Sequence, residues 1–192
     1  MSACVFPGSL KNEVGMVSLE ILKKFDIFSN MPSDKLKHIS QQARLLEFSA
    51  GEVLARKDDP ALNLYGVVRG EVQLSLPVAC RLLTADINTE KGEPDRVQTQ
   101  EKQMTVDVVE PGEICGWSAM LDAGRQTTTL TCSKPGQILY ISAAILKDMC
   151  RKDPLTGYEL TNKLLQVVSD RLRTRTKNLV ETWGESFEIE GE

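Results

Sequence analysis

The stretch PGEICGWSAMLDAGRQTTTL, residues 111–130, decides how the rest of the chain reads. Pro111-Gly112 marks a tight turn, because proline presets φ at one turn position and glycine accepts positive φ at the next. Gly116 admits the backbone to one short helical turn, Trp117–Leu121, without a Cβ clash. The start of such a turn exposes unpaired N–H groups, and together with Arg125 these form an anion cradle. Arginine suits phosphate because its planar fork donates two hydrogen bonds at once. Thr127 and Thr128 add hydroxyl donors, as does Ser118 within the turn. The candidate ligand-binding set is therefore Gly116, Ser118, Arg125, Thr127 and Thr128.

On either side of this stretch the apolar period is two. Leu46 and Phe48 alternate with polar neighbours, and Val53–Ala55 extends again after a turn at 49–52. Asp58-Asp59-Pro60 turns. Asn63–Arg69 and Glu71–Leu76 flank Gly70 and read as a hairpin with glycine at the corner. Met104–Val109 leads into the quoted stretch, and 127–131 and 137–141 follow it, joined by a turn at Lys134-Pro135-Gly136. Short strands punctuated by glycines predict a small barrel or sandwich. The polar run NTEKGEPDRVQTQEKQ makes 77–103 read as a long inserted loop.

Helices bracket the strands. Leu19, Leu22 and Phe25 recur at helical spacing over 17–28, Asn30-Met31-Pro32 breaks the run, and Ser33 caps a second helix that buries Leu36 and Ile39. Ser142 caps a third over 143–150. Asp153-Pro154 then starts a long helix, 153–183, with aspartate at the N-cap and proline at the first turn. Tyr158, Thr161, Leu165, Val168, Leu172, Arg175 and Leu179 step alternately by three and four along it, a seam sustained for about three heptads. A second stripe, Leu160, Leu164 and Val167, faces away. One stripe packs on the strands while the other pairs with a second copy, so the reading is a homodimer through helix 153–183. The basic run Arg171, Arg173, Arg175 and Lys177 reads as a solvated face. Residues 1–16 read as a disordered tail and 184–192 as an acidic one.

Residues 111–130 resemble the phosphate-binding cassette of the cyclic nucleotide-binding domain family, which includes catabolite-activator-type regulators, kinase regulatory subunits and gated channels. Gly116, Ala119, Leu121, Arg125 and 127–130 fit its pattern. Phe28, Pro32, Leu36 and Ile39 match the helices that precede the roll in catabolite-activator-type proteins, and Gly51, Tyr65, Gly70 and Val72 match its glycine framework. The resemblance implies a mainly β, jelly-roll-like β-roll (a double-stranded β-helix) over 17–152, with N-terminal helices and a long C-terminal dimerisation helix. It also implies that the arginine pairs with a cyclic phosphate and a glutamate accepts from the ribose 2′-hydroxyl. That glutamate's position holds Trp117. An indole has one N–H donor and no acceptor. An unmatched buried hydroxyl costs about 1–3 kcal/mol, roughly 5- to 150-fold in affinity. Altered or lost cyclic nucleotide specificity follows.

Composition narrows the function. The 192 residues are 41% hydrophobic and 26% charged, with a net charge of −4, so no whole-chain attraction to nucleic acid is expected. Recognition-helix patterning is missing after the long helix, so direct DNA binding is not expected. No apolar run reaches the roughly 18 residues of a membrane span, and no secretory signal opens the chain. Five scattered cysteines (Cys4, Cys80, Cys115, Cys132 and Cys150) fit reduced thiols and a cytoplasmic location better than disulfides. His38, the single histidine, sits on the second helix away from any nucleophile, and no metal-ligand spacing occurs, so neither enzyme chemistry nor a metal is expected. The expected function is a non-catalytic sensor module that takes a cyclic nucleotide or another small anion near Arg125. Alternatives are a ligand-free dimeric scaffold acting on an unknown protein partner, or the sensor half of a cAMP-responsive transcription regulator.

Overall fold

A computed structural model describes residues 13–83 and 97–188. The chain runs β1 (Glu13–Met16), α1 (Leu19–Leu22), a 3-10 turn (Asp26–Phe28), α2 (Ser33–Gln42), β2 (Arg44–Phe48), β3 (Val53–Ala55), β4 (Asn63–Leu83), β5 (Val97–Val109), β6 (Ile114–Cys115), a 3-10 turn (Trp117–Met120), β7 (Thr129–Ser142), α3 (Ala143–Lys152) and α4 (Pro154–Glu188). It is the expected mainly antiparallel β fold with flanking helices and a long C-terminal helix.

The frame is one antiparallel ribbon made of β4 and β7, bent once. Asn63–Val67 pair with Ser142–Ile138, and Glu71–Ser75 pair with Lys134–Thr129. At the bend Gly70 takes φ +86, and a Cβ there would lie 2.8–2.9 Å from the backbone of Lys134, Pro135 and Gly136. Gly136 is crowded in return, with a Cβ position 2.1 Å from Arg69 O. Two expectations are corrected here. Neither Gly70 nor 134–136 reverses the chain; each is a bulge, and the two face each other where the ribbon folds over. The bend lets β2 pair with the second half of β7 and β3 with its first half, closing the roll.

Strand alternation divides the apolar side chains between two clusters. Leu46, Tyr65, Cys115 and Ile138 point into the roll with Phe48, Leu54, Val72, Leu74, Leu130 and Cys132. Their chain neighbours Leu45, Leu64, Ile114 and Leu139 point outward, onto Leu22, Phe25, Phe28, Leu36, Ile39, Leu146, Leu160 and Leu164 of the helical layer. A period of two therefore builds both clusters.

Other boundaries also move. The first expected helix is two short pieces, α1 and the 3-10 turn, because Phe25 leaves the helical region at φ −95, ψ 120. Pro32 rather than Ser33 is the N-cap of α2. Residues 13–16, expected as tail, pair with β2. Of the expected loop 77–103, both ends are strand: Pro77–Leu83 pair with Gln103–Val97. Residues 1–12, 84–96 and 189–192 lie outside the described residues. Asp153 caps α4 as expected, accepting from Thr156 N–H at 3.3 Å and Thr156 Oγ1–H at 2.9 Å.

Candidate ligand-binding site

The cassette leaves β5 through a turn stitched to β4. Gly112 N–H donates to Val67 O at 2.8 Å, and Val67 N–H donates back to Glu113 O at 3.0 Å. β6 then pairs Ile114 and Cys115 with Gly66 and Tyr65. Gly116 follows at φ +77, with Tyr65 Cδ2 2.8 Å and Asn63 O 2.9 Å from where a Cβ would stand, so glycine alone fits. It is the N-cap of the 3-10 turn, where Ala119 N–H donates to Gly116 O at 3.0 Å.

The returning limb is clamped against the 58–61 turn. Ala61 N–H donates to Gly124 O at 2.9 Å, Asp58 N–H to Gln126 O at 2.8 Å, and Gln126 N–H to Asp59 O at 2.9 Å. Arg125 stands between these bonds, exposed, its Nη1 donating to Asp58 O at 2.7 Å. The Asp58 carboxylate is engaged elsewhere, by Lys57 Nζ at 2.6 Å. Among the described residues no carboxylate lies within ion-pair distance of Arg125, so its charge is oriented by a neutral carbonyl and left uncompensated.

Arg125 opens onto a cleft of about 580 Å³ between the cassette and α3, walled by 60–62, Ala119, 121–125, 142–144, Lys147 and Arg151. Of the candidate set only Arg125 lines it. Ser118 and Thr128 are buried, and Thr127 is exposed. Lys147 and Arg151 went unread in the sequence; their i,i+4 spacing on α3 places them on one helix face.

Trp117 turns the other way. It packs against both apolar clusters, and Arg171 Cζ of α4 lies 5.4 Å from its ring centroid. Arg171 also joins Asp107 at 2.7 Å and Glu113 at 3.2 Å, and Arg175 joins the same Asp107 at 3.1 Å. The expected solvated face is thus corrected for these two arginines, which latch α4 to β5 and the cassette. Arg173 is exposed and pairs within its helix with Asp170. Of the expected seam, Val168 and Arg175 are half-buried, whereas Tyr158, Leu165, Leu172 and Leu179 are exposed in a row at intervals of seven.

Burial pushes the thiols of Cys115 and Cys132 up to about 12, so neither is a ready thiolate. Among the described residues no His, Cys, Asp and Glu group could hold a metal ion, and no helix is long and apolar enough to cross a membrane.

The model of the cyclic nucleotide-binding domain matches residues 45–153. A Rhodopseudomonas palustris protein named "Putative potassium channel protein" is 21% identical over 156 residues, which are 81% of this chain and 32% of that protein. The chain therefore spans about a third of that relative's length. A cyclic nucleotide-binding domain from Methylobacillus flagellatus superposes with TM-score 0.66 at 19% identity, covering 89% of this chain and 88% of that one. The regulatory domain of Toxoplasma gondii PKA, crystallised with cAMP, gives 0.50 at 19%, covering 70% and 45%. The bent β4–β7 ribbon, the glycine-led 3-10 turn and Arg125 all lie in or beside the matched segment, and the chain belongs to the cyclic nucleotide-binding domain family.

Proposed function

We propose that this chain is a non-catalytic sensor module in which an anionic ligand binds at Arg125, within a homodimer formed through helix 153–183 in the cytoplasm. One observation carries the reading. Arg125 is exposed, oriented by Asp58 O at 2.7 Å, and has no carboxylate partner among the described residues. A ligand-free scaffold would instead tie Arg125 to an internal carboxylate. Cyclic nucleotides are the first ligands to test, since a regulatory domain of similar fold was crystallised with cAMP. Trp117 stands where the family's ribose-binding glutamate is expected, so cAMP and cGMP should bind weakly or not at all while smaller anions still occupy Arg125. Signalling then requires that the ligand prefer one of two states of α3 and α4.

Titration calorimetry with cAMP, cGMP and inorganic phosphate on the wild type and Arg125→Ala tests the reading. Inorganic phosphate should bind the wild type and be lost in the variant, while cAMP and cGMP bind the wild type weakly or not at all. Equal responses from both proteins would remove Arg125 from the account.

A second reading, a ligand-free scaffold, draws support from Trp117, which is packed against both clusters beneath Arg171. In that case none of these ligands gives heat, and the exposed α4 row or the β4–β5 hairpin holds a protein partner.

A further inference from the structure

We propose that the cleft between the cassette and α3 takes a phosphomonoester with an apolar or aromatic body, held jointly by Arg125, Lys147 and Arg151. This deepens the reading above and rests on Arg125 as an anion-binding residue.

The charge arrangement points to the ligand. Lys147 crosses from α3 to the cassette, donating to Leu121 O at 2.6 Å, just as Arg125 donates to Asp58 O at 2.7 Å. Two of the three cations are thus fixed by neutral carbonyls, which orient a charge without cancelling it. Arg151, one turn beyond Lys147 on the same face, makes no hydrogen bond or ion pair among the described residues; Asp148, the carboxylate that feels its charge, is itself paired with Lys152 at 2.7 Å. The one carboxylate on the wall, Asp122, lies 3.7 Å from Lys147 with its side chain 99% exposed, where water and salt screen it. Three cations against one screened carboxylate leave the cleft about two positive charges in excess.

A cyclic phosphodiester brings one negative charge. A phosphomonoester brings about −1.5 to −2 at pH 7, which matches the excess, and three acceptor oxygens, one for each cationic side chain. Alanines at 61, 119 and 143 and the leucines at 62 and 121 supply apolar wall for the rest of the molecule. Because the walls belong to the cassette and to the helix that leads into α4, an occupant would tie the two together. This site is separate from the roll interior, which is filled by Leu54, Val72, Leu74, Leu130 and Cys132.

The test is calorimetry on the full chain with 5′-AMP, cAMP and inorganic phosphate. 5′-AMP should bind more tightly than either of the others. Lys147→Gln and Arg151→Gln should each weaken 5′-AMP by about tenfold, the ordinary scale of one charge-assisted bond, and Arg125→Ala should abolish it. Ala144→Phe, at an exposed cleft position, should block 5′-AMP without altering any charge and carries the test if a charge variant misfolds. Binding lost in Arg125→Ala but intact in Lys147→Gln, Arg151→Gln and Ala144→Phe would overturn the cleft and leave the anion role of Arg125 standing. Tighter binding of cAMP than of 5′-AMP would overturn the ligand class. Binding unchanged in Arg125→Ala, or none to any probe, would overturn both readings.

Discussion

Asp107 holds two arginines of α4 at once, Arg171 at 2.7 Å and Arg175 at 3.1 Å, with its own side chain only 15% exposed. Removing one partner of a largely buried set leaves charge without compensation, so Asp107→Ala should cost about 3 kcal/mol in a denaturant melt. Arg171→Ala removes the weaker stacking contact as well, on the order of 0.5–1 kcal/mol. It should shift the emission of Trp117, read in a Trp183→Phe background so that only one indole reports. An unchanged spectrum would mean that Arg171 does not cover the ring in solution. Read from the sequence alone, both arginines fall on a solvated face, although Arg171 continues the stripe Leu160, Leu164 and Val167 by four more residues. Its partners were not legible. Asp107 and Glu113 lie some sixty positions away, and only the fold brings them under α4. Arg125 was legible as an anion donor from local pattern, while its contact with Asp58 O depends on a turn 67 positions earlier.

At the scale of elements, the β4–β7 ribbon stands or falls with its bend. Gly70→Ala sets a Cβ against backbone on a residue at φ +86, so it should lower stability by at least about 2 kcal/mol. Gly184→Ala, within α4 and with nothing near it, should be neutral to slightly stabilising, by at most about 1 kcal/mol. The joint between α3 and α4 answers to pH. Hydrogen bonds from Lys35 and Thr156 hold the Asp153 carboxyl below its ordinary 3.8. A lowered folded value means the stabilisation is complete above the unfolded value and lost as the pH falls through the folded one. Asp153→Asn should therefore melt below the wild type at pH 7, and the gap should close below about pH 4. The strands themselves read well from alternation, as did the Asp153 cap of α4, whereas Ser142 stands at the N-cap of α3 without a side-chain capping bond. The two bends were misread as hairpin turns because a glycine with positive φ serves a reversal and a bulge equally. Polarity hid the ends of the 77–103 hairpin, where pairing beyond the reach of β7 needs no buried face.

Across the whole molecule, α4 offers solvent an apolar row, Tyr158, Leu165, Leu172 and Leu179, while its other side is fastened to the roll. Its 35 residues run for about 50 Å, long enough for a coiled pair. Sedimentation equilibrium should find a dimer for the wild type and a monomer for Leu165→Lys/Leu172→Lys, with circular dichroism unchanged. A monomeric wild type would reassign the row to another partner. Ligand sensing, by contrast, comes down to whether the uncompensated guanidinium of Arg125 meets an anion. The direct measurement is the side-chain Nε–H correlation of Arg125, assigned through Arg125→Lys, during titration with 5′-AMP and then with cAMP. A saturable shift of that signal is expected with 5′-AMP, accompanied by the amides of Ala61 and Gly124, and a small shift or none with cAMP. An Arg125 signal that stays in place while 5′-AMP saturates the protein would contradict this.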